Sequence, residues 1–120
     1  MNDPLRQSTD APLIAASKVQ GKPVFDPDGE KLGTVRELYI DKLSGEVEFA
    51  ALAFGGVLGM GEKYHPLPWE VLDYDTNKDG FVVNLSKDVL KGSPAYEDAR
   101  LSAPFPDWSD EVRSYYRRAA

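Results

Sequence analysis

The chain lacks cysteine altogether and contains a single histidine, His65, among its 120 residues. The first absence excludes disulfides, thiol nucleophiles and metal sites built on cysteine. The second excludes a metal site held by several histidines. No nucleophile-elbow motif surrounds any serine that would make a catalytic triad with His65. We therefore expect no enzyme activity and no cofactor.

Basic residues are also scarce, since 14 lysines and arginines face 20 acidic residues and the formal net charge is −6. A negative surface argues against general binding to the nucleic-acid backbone or to anionic lipid. It leaves a protein partner open, including a basic one. We therefore expect a protein partner of unknown identity and no nucleic acid.

Long hydrophobic runs are missing. The most apolar segment, residues 49–60, is interrupted by glycines, whereas a membrane-spanning helix needs about 20 apolar residues. Residues 1–12 have no apolar run of a secretory signal and are interpreted as a flexible N-terminal tail. We expect a cytoplasmic protein without membrane insertion. The length fits one domain over residues 13–95, followed by an extension with a helix over residues 96–120.

Short segments bounded by glycine and proline predict a mainly β fold with short helical elements. The predicted strands are residues 24–25, 32–41, 47–54, 64–67 and 81–85. Residues 26–29, which read DPDG, predict a tight turn after the first of them. The alternation slips at Arg36 and Glu37, which predicts a β-bulge. Segment 47–54 is apolar on both faces and is predicted to be the central strand. Pro66 and Pro68 place segment 64–67 at a sheet edge or a barrel corner.

Two helices are predicted from their caps. Ser86 is placed to cap a short helix that ends at Lys91. Ser109 is placed to cap a C-terminal helix with acidic residues first and arginines last, an order that suits the helix dipole. The aromatic residues of this tail fit two alternatives equally, packing within the chain or a partner-binding patch. They are Trp108, Tyr115 and Tyr116, and the helix could pack in cis or in trans.

Four glycines interrupt residues 55–61. The stretch lacks the ending of a phosphate-binding P-loop, so a flexible or tightly curved connection between strands is favoured. Its apolar residues are Val57, Leu58 and Met60. If exposed, they would form a tip suited to binding a partner.

Asp75, Asn77 and Asp79, followed by Gly80, match the opening of an EF-hand calcium loop. The match fails at the twelfth position, where Ser86 replaces the required bidentate glutamate, and the intervening segment alternates like a strand. The same residue types are typical of a β-turn. A plain hairpin turn is therefore favoured, and the calcium site is kept as a weak candidate.

Four stretches carry a resemblance to a known family. They read GKPVFDPDGEKLGTV from residue 21, LYIDKLSGEV from residue 38, ALAFGGVLGMGEK from residue 51 and LPW from residue 67. Together they resemble the PRC-barrel domain. That family is named for the cytoplasmic domain of the photosynthetic reaction-centre H subunit and includes the C-terminal domain of the ribosome maturation factor RimM. The tail, residues 107–116, is similar to the extension of stand-alone bacterial members.

The resemblance implies a small, strongly bent antiparallel β-barrel with roles in assembly and protein interaction. We therefore expect a non-catalytic interaction or assembly module that binds another protein through barrel edges, the loop over residues 55–61 or the tail helix. A homodimer is one possible arrangement. The alternative is a small-ligand or calcium-binding module that uses residues 75–80. An accessory protein of RNA processing or ribosome maturation is less favoured, because the acidic balance and the lack of a basic aromatic patch count against it.

Overall fold

A sheet of seven strands organises the part of the chain that the computed structural model describes, residues 13–54, 63–104 and 107–119. The strands are β1 (Pro23–Phe25), β2 (Lys31–Ile40), β3 (Val47–Phe54), β4 (Lys63–Pro68), β5 (Leu72–Asp75), β6 (Gly80–Val83) and β7 (Tyr96–Glu97). The helices are α1 (Ala16–Val19), α2 (Lys87–Lys91), α3 (Asp98–Leu101) and α4 (Ser109–Ala119), with a 3-10 turn at Trp69–Val71. The predicted β-rich fold with short helices and a C-terminal helix is confirmed.

The strand order is β5-β6-β1-β2-β3-β4-β7. Neighbouring strands are antiparallel except β1 and β6, which pair in parallel with Val24 opposite Phe81. Strand β6 forms an antiparallel hairpin with β5, and in this orientation it runs parallel to β1. Among the described residues β5 and β7 share no ladder, so the hydrogen-bonded sheet is not closed.

The β2–β3 pair carries the predicted bulge. Val35 lies opposite Leu52 and Glu37 opposite Ala51, which leaves Arg36 as the extra residue. A second irregularity follows, between Tyr39 and Ile40. An extra residue on one strand bends and twists an antiparallel pair locally. The slip in the hydrophobic alternation therefore indicated a real bend in this hairpin.

Strand β3 is an internal strand that is buried on both faces, as predicted. It lies between β2 and β4, and its four residues Phe49, Ala50, Ala51 and Leu52 are all buried. The prediction that β4 lies at a sheet edge is also confirmed for most of the strand. Only Lys63 and Tyr64 of β4 pair with β7, so Pro66 and Pro68 lie where no further strand needs their missing N–H.

Two local predictions concern turns and caps. Asp26 accepts hydrogen bonds from the N–H groups of Asp28 and Glu30 through its Oδ1, at 2.9 and 2.8 Å, which closes the predicted turn before β2. Ser86 Oγ accepts the N–H of Val89 at 3.2 Å and caps α2. Both assignments follow from side chains that satisfy nearby backbone donors.

Helix α4 packs on the sheet through residues four positions apart. Trp108, just before the helix, is 1% exposed, Val112 is fully buried and Tyr116 is 4% exposed. The Trp108 ring meets the rings of Phe49 and Tyr39 edge-on, at centroid distances of 4.9 and 5.5 Å. Ser109 was predicted as the cap that precedes this helix. The described helix starts at Ser109 itself, so Ser109 lies in its first turn.

Candidate functional site

The tail aromatic residues belong to the packing of the chain. Trp108 and Tyr116 are buried, and Tyr115 donates its hydroxyl to the Val89 carbonyl at 2.6 Å. Burial is the largest cause that raises the pKa of Tyr116 to about 12. In this single chain Trp108 and Tyr116 are enclosed by the packing of α4, whereas Tyr115 is partly exposed. Their part in binding a partner stays a prediction.

The other predicted partner-binding residues, Val57, Leu58 and Met60, lie outside the described residues. Their place on a binding surface therefore stays a prediction. The hairpin turn predicted for residues 75–80 is confirmed, since β5 and β6 pair antiparallel with Asp75 opposite Gly80.

The acidic side chains of the β5–β6 turn are engaged within the chain. Asp75 Oδ1 accepts the N–H groups of Asn77 and Lys78, at 2.9 and 3.3 Å. Asp79 forms an ion pair with Lys22 at 2.7 Å, and it accepts a hydrogen bond from the Tyr74 hydroxyl. These bonds account for the pattern that resembles a calcium loop. Within the described ranges no group of three or more His, Asp or Glu side chains is arranged to hold a metal ion.

His65 meets a serine, which raises the question of a nucleophile. His65 Nδ1 lies 2.8 Å from Ser93 Oγ, and the Ser93 hydroxyl donates to the Leu90 carbonyl at 2.7 Å. Because that hydroxyl hydrogen is already donated to Leu90, His65 supplies the hydrogen of the shared bond. In this arrangement the Ser93 hydroxyl hydrogen is directed to Leu90 and not to His65. The contact therefore joins β4 to the turn after α2.

The same histidine makes stability depend on pH. Burial is the largest cause that lowers the pKa of His65 in the folded chain, and a hydrogen bond to the Ser93 backbone opposes it. The unfolded chain therefore binds the proton more readily. The contribution of neutral His65 to the stability of the folded chain is therefore complete above the unfolded pKa of about 6.5. It is lost as pH falls toward the lower pKa of the folded chain.

A comparison of the wild type with His65→Gln tests this dependence, because glutamine keeps an N–H donor for Ser93. We expect the difference in unfolding free energy between them to shrink as pH falls from about 7.5 to about 5. Urea denaturation at each pH measures that difference. A difference that stays constant over this range would show that His65 titrates alike in the folded and unfolded chains.

The C-terminal part of β2 has an open edge among the described residues. Strand β1 and the residues just before it pair with β2 only as far as Val35, whose N–H donates to the Lys22 carbonyl at 2.9 Å. Gln20 Nε2 then reaches the Arg36 carbonyl at 3.4 Å. The N–H of Leu38 is satisfied by the Glu37 carboxylate at 3.0 Å instead of by a strand. From Leu38 to Ile40, β2 therefore has β3 as its only strand neighbour in the described ranges.

The β2–β3 hairpin tip continues this edge and is held in one shape. Asp41 Oδ1 accepts the N–H groups of Leu43 and Ser44 at 2.8 and 3.1 Å, and these bonds lower the Asp41 pKa. Gly45 takes a φ of +79°, which favours glycine, and its N–H donates to the Asp41 carbonyl at 2.8 Å. The turn that presents Leu43 is therefore fixed by its own hydrogen bonds.

We call Leu38, Ile40 and Leu43 the β2 edge surface. Leu43 is 98% exposed and Ile40 is 50% exposed, while Leu38 is half-buried. Single exposed apolar side chains are common. Here Ile40 lies on the open edge of β2, and Leu43 lies on the ordered turn next to it. Sequence analysis placed Leu38 and Ile40 in a strand without identifying a surface there. The signal that could have identified Leu43 as exposed is that it is an apolar residue inside a turn, residues 41–45.

Comparison with known proteins now adds to this geometry. Residues 12–90 match the family model of the PRC-barrel domain. The chain belongs to the PRC-barrel family. The resemblance found in the sequence is thereby confirmed, and the β2 edge surface lies within the matched part of the PRC-barrel domain. Among curated proteins, no match is found.

A solved structure is also similar to this PRC-barrel chain. It is a Pseudomonas aeruginosa protein described as a 16S ribosomal RNA processing protein, RimM, with 15% sequence identity and a TM-score of 0.45. The similarity covers 66% of this chain and 48% of that one, so this chain spans about half of its length. At this level the likeness supports no conclusion about function. None of the helices in the described ranges has the length and apolar character needed to cross a bilayer.

Proposed function

We propose that this PRC-barrel protein is a non-catalytic interaction or assembly module that binds an extended segment of a protein partner along the β2 edge surface. The observation that carries the proposal is the open stretch from Leu38 to Ile40 beside the exposed side chain of Leu43. An added strand gains main-chain hydrogen bonds from such an edge. Apolar side chains next to it provide the buried contact that sets specificity.

The charges around this surface favour a basic partner. Glu37, Asp41 and Glu46 lie on or next to the surface, against Lys42 at the hairpin tip. Arg36 stacks on the Tyr64 ring, with 5.4 Å between its guanidinium carbon and the ring centroid, and so is already engaged. Complementary charge raises association rates and excludes wrong partners. A segment that carries apolar residues with lysine or arginine beside them therefore fits this edge.

The order of the hairpin also supports binding. Ordering a flexible loop on binding lowers affinity, because each immobilised side chain loses conformational freedom. The tip that carries Leu43 is already fixed by the bonds from Asp41. A partner would therefore meet a surface in its bound conformation. The contact of Ser93 with His65 gives a reason to propose a non-catalytic role, since the Ser93 hydroxyl is donated to Leu90.

The test is a double change of Ile40→Ser and Leu43→Ser in the full chain. We expect it to weaken binding of the partner at least about tenfold, while stability changes by no more than about 0.5 kcal/mol because both side chains are exposed. Mild crosslinking in the native host, followed by quantitative mass spectrometry, measures which complex is recovered. Hydrogen exchange on that complex then measures protection of the amides of residues 38–40.

Leu13→Ser is the matched control, because Leu13 is 87% exposed and lies in a different part of the chain. We expect it to retain the complex. Retention of the complex by the double variant, or unprotected amides at residues 38–40 in the complex, would place the interface elsewhere. Equal loss with Leu13→Ser would show that the capture depends on general apolar exposure.

A further inference from the structure

Helix α4 occupies a defined place on the sheet, which we call the helix seat. It is formed by Tyr39, Glu48, Phe49, Glu70, Val89 and Tyr96. The seat is both apolar and charged. Trp108 fills its aromatic part, while Arg113 lies over the Phe49 ring with 4.6 Å between the guanidinium carbon and the ring centroid. This combination recognises one helix pattern and not a generic apolar face.

Two carboxylates of the seat hold one arginine of α4. Arg113 donates to Glu48 at 2.8 Å and to Glu70 at 3.2 Å, and all three side chains are at least partly exposed. The Tyr96 hydroxyl also donates to the Glu111 carboxylate of α4. Arg117, one turn after Arg113, is exposed and forms no ion pair among the described residues. The charged recognition of α4 is thus concentrated at Arg113.

The contact between α4 and the seat is imperfect. Within the described residues, three buried side-chain atoms lack a hydrogen-bond partner, and all belong to this contact: Tyr39 Oη, Trp108 Nε1 and Tyr116 Oη. Tyr39 lies near Ser102 and Tyr116 near Ser93, but without the geometry of a hydrogen bond. Buried polar groups without partners lower the stability of the contact that buries them. They therefore lower the free-energy cost of moving α4 away from its seat.

The chain between α3 and α4 is long enough to reach another molecule. Helix α3 ends at Leu101 and α4 begins at Ser109. Because Trp108 is seated together with α4, residues 102–107 form the free connection, and they span at most about 20 to 22 Å when extended. Two of them, Pro104 and Pro106, cannot supply the backbone N–H that a tight helical connection would use. Nothing in this sequence ties α4 to its own sheet by a short turn.

We propose that the helix seat accepts α4 of a second copy of this chain, so that two copies exchange their C-terminal helices and form a homodimer. Exchange of an identical element repeats every contact of the monomer and adds no new requirement for recognition. The seat residues Tyr39, Glu48, Phe49 and Glu70 lie within the family match of residues 12–90, and α4 lies outside it. The inference does not rest on the proposed function, since the β2 edge surface shares no residue with the seat.

Charge reversal gives a direct test in full-length chains. One variant carries Arg113→Glu and the other carries Glu48→Arg with Glu70→Arg. Each repels α4 from its own sheet, but each helix is complementary to the sheet of the other variant. With one variant isotope-labelled, native mass spectrometry at low ionic strength should detect mixed dimers of twice the 13.3 kDa chain mass. We expect mixed dimers to exceed the two homodimers by about tenfold or more.

Arg118→Glu is the matched control, because it makes the same charge change on α4 at an exposed position that does not line the hollow shared by Glu70 and Arg113. Mixed with the Glu48→Arg, Glu70→Arg variant, it should give no excess of mixed dimer. An equal excess with Arg118→Glu, or only monomers after mixing the complementary variants, would overturn the exchange.

A second measurement keeps Glu48, Glu70 and Arg113 intact and covers the case in which a reversed variant fails to fold. Because the chain has no cysteine, Val71→Cys and Arg117→Cys, which line one hollow beside α4, can be introduced in separate chains and mixed with a short bis-maleimide. Exchange predicts a crosslinked dimer from this mixture and none when Lys42→Cys replaces Val71→Cys. Absence of the crosslinked dimer would show that α4 stays on its own sheet.

Discussion

Gly33→Ala should destabilise the chain by about 3 kcal/mol, the upper part of the range for added atoms in a packed interior. Gly33 lies on β2 between two paired strands, opposite Val24 of β1 and Phe54 of β3. A Cβ at this position would lie 2.2 Å from the Ala53 carbonyl oxygen. That oxygen belongs to the backbone of the central strand, so it cannot move aside as a flexible side chain would.

The comparison with Gly45→Ala separates this clash from the ordinary effect of replacing glycine. Gly45 has a φ of +79° and no atom within 4 Å of the added Cβ, so we expect only the backbone cost of about 1 to 2 kcal/mol. Urea denaturation followed by far-ultraviolet circular dichroism measures both variants. Equal losses would mean that β2 and β3 separate easily, and that the sheet is less tightly packed at Gly33 than its geometry indicates.

The features that sequence analysis predicted correctly are local ones. The bulge at Arg36, the turn after Phe25 and the cap by Ser86 each depend on residues within about five positions of one another. Such features follow from side-chain alternation and from side chains that bind nearby backbone donors. The central place of β3 was also visible, because burial on both faces requires an apolar residue at every position.

The features that could not be predicted depend on contacts between distant parts of the chain. The parallel pairing of β1 with β6 joins Val24 to Phe81, and no local pattern carries that information. Arg113 was predicted as a helix-end charge, whereas the structure brings it to Glu48 and Glu70. The side of the sheet on which α4 packs follows from that three-dimensional arrangement.

Sequence analysis predicted the type of the candidate surface but not its location. A barrel edge was expected to bind a partner, but the edge was not located, because unpaired main-chain groups are visible only once the strand order is known. The open stretch of β2 appears because β1 is short and ends its pairing at Val35. Leu43 stands at the tip because Asp41 closes the turn beneath it.

Trp108→Ala should have the largest effect, a loss of about 3 to 5 kcal/mol in unfolding free energy. The indole is 1% exposed and contacts the rings of Tyr39, Phe49 and Tyr96. Its removal leaves a cavity between α4 and the sheet that alanine cannot fill. Since native domains are stable by only about 5 to 15 kcal/mol, the variant should unfold at much lower urea concentration.

Trp108→Phe shows which property of the side chain matters. Trp108 Nε1 has no hydrogen-bond partner among the described residues, so phenylalanine gives up ring volume and no hydrogen bond. We expect a loss of about 1.5 kcal/mol or less. Tyr115→Phe, which removes only the bond to the Val89 carbonyl, should cost about 1 kcal/mol. If Trp108→Ala cost no more than Tyr115→Phe, α4 would spend much of its time away from the sheet, and the apolar part of the helix seat would be open to another occupant.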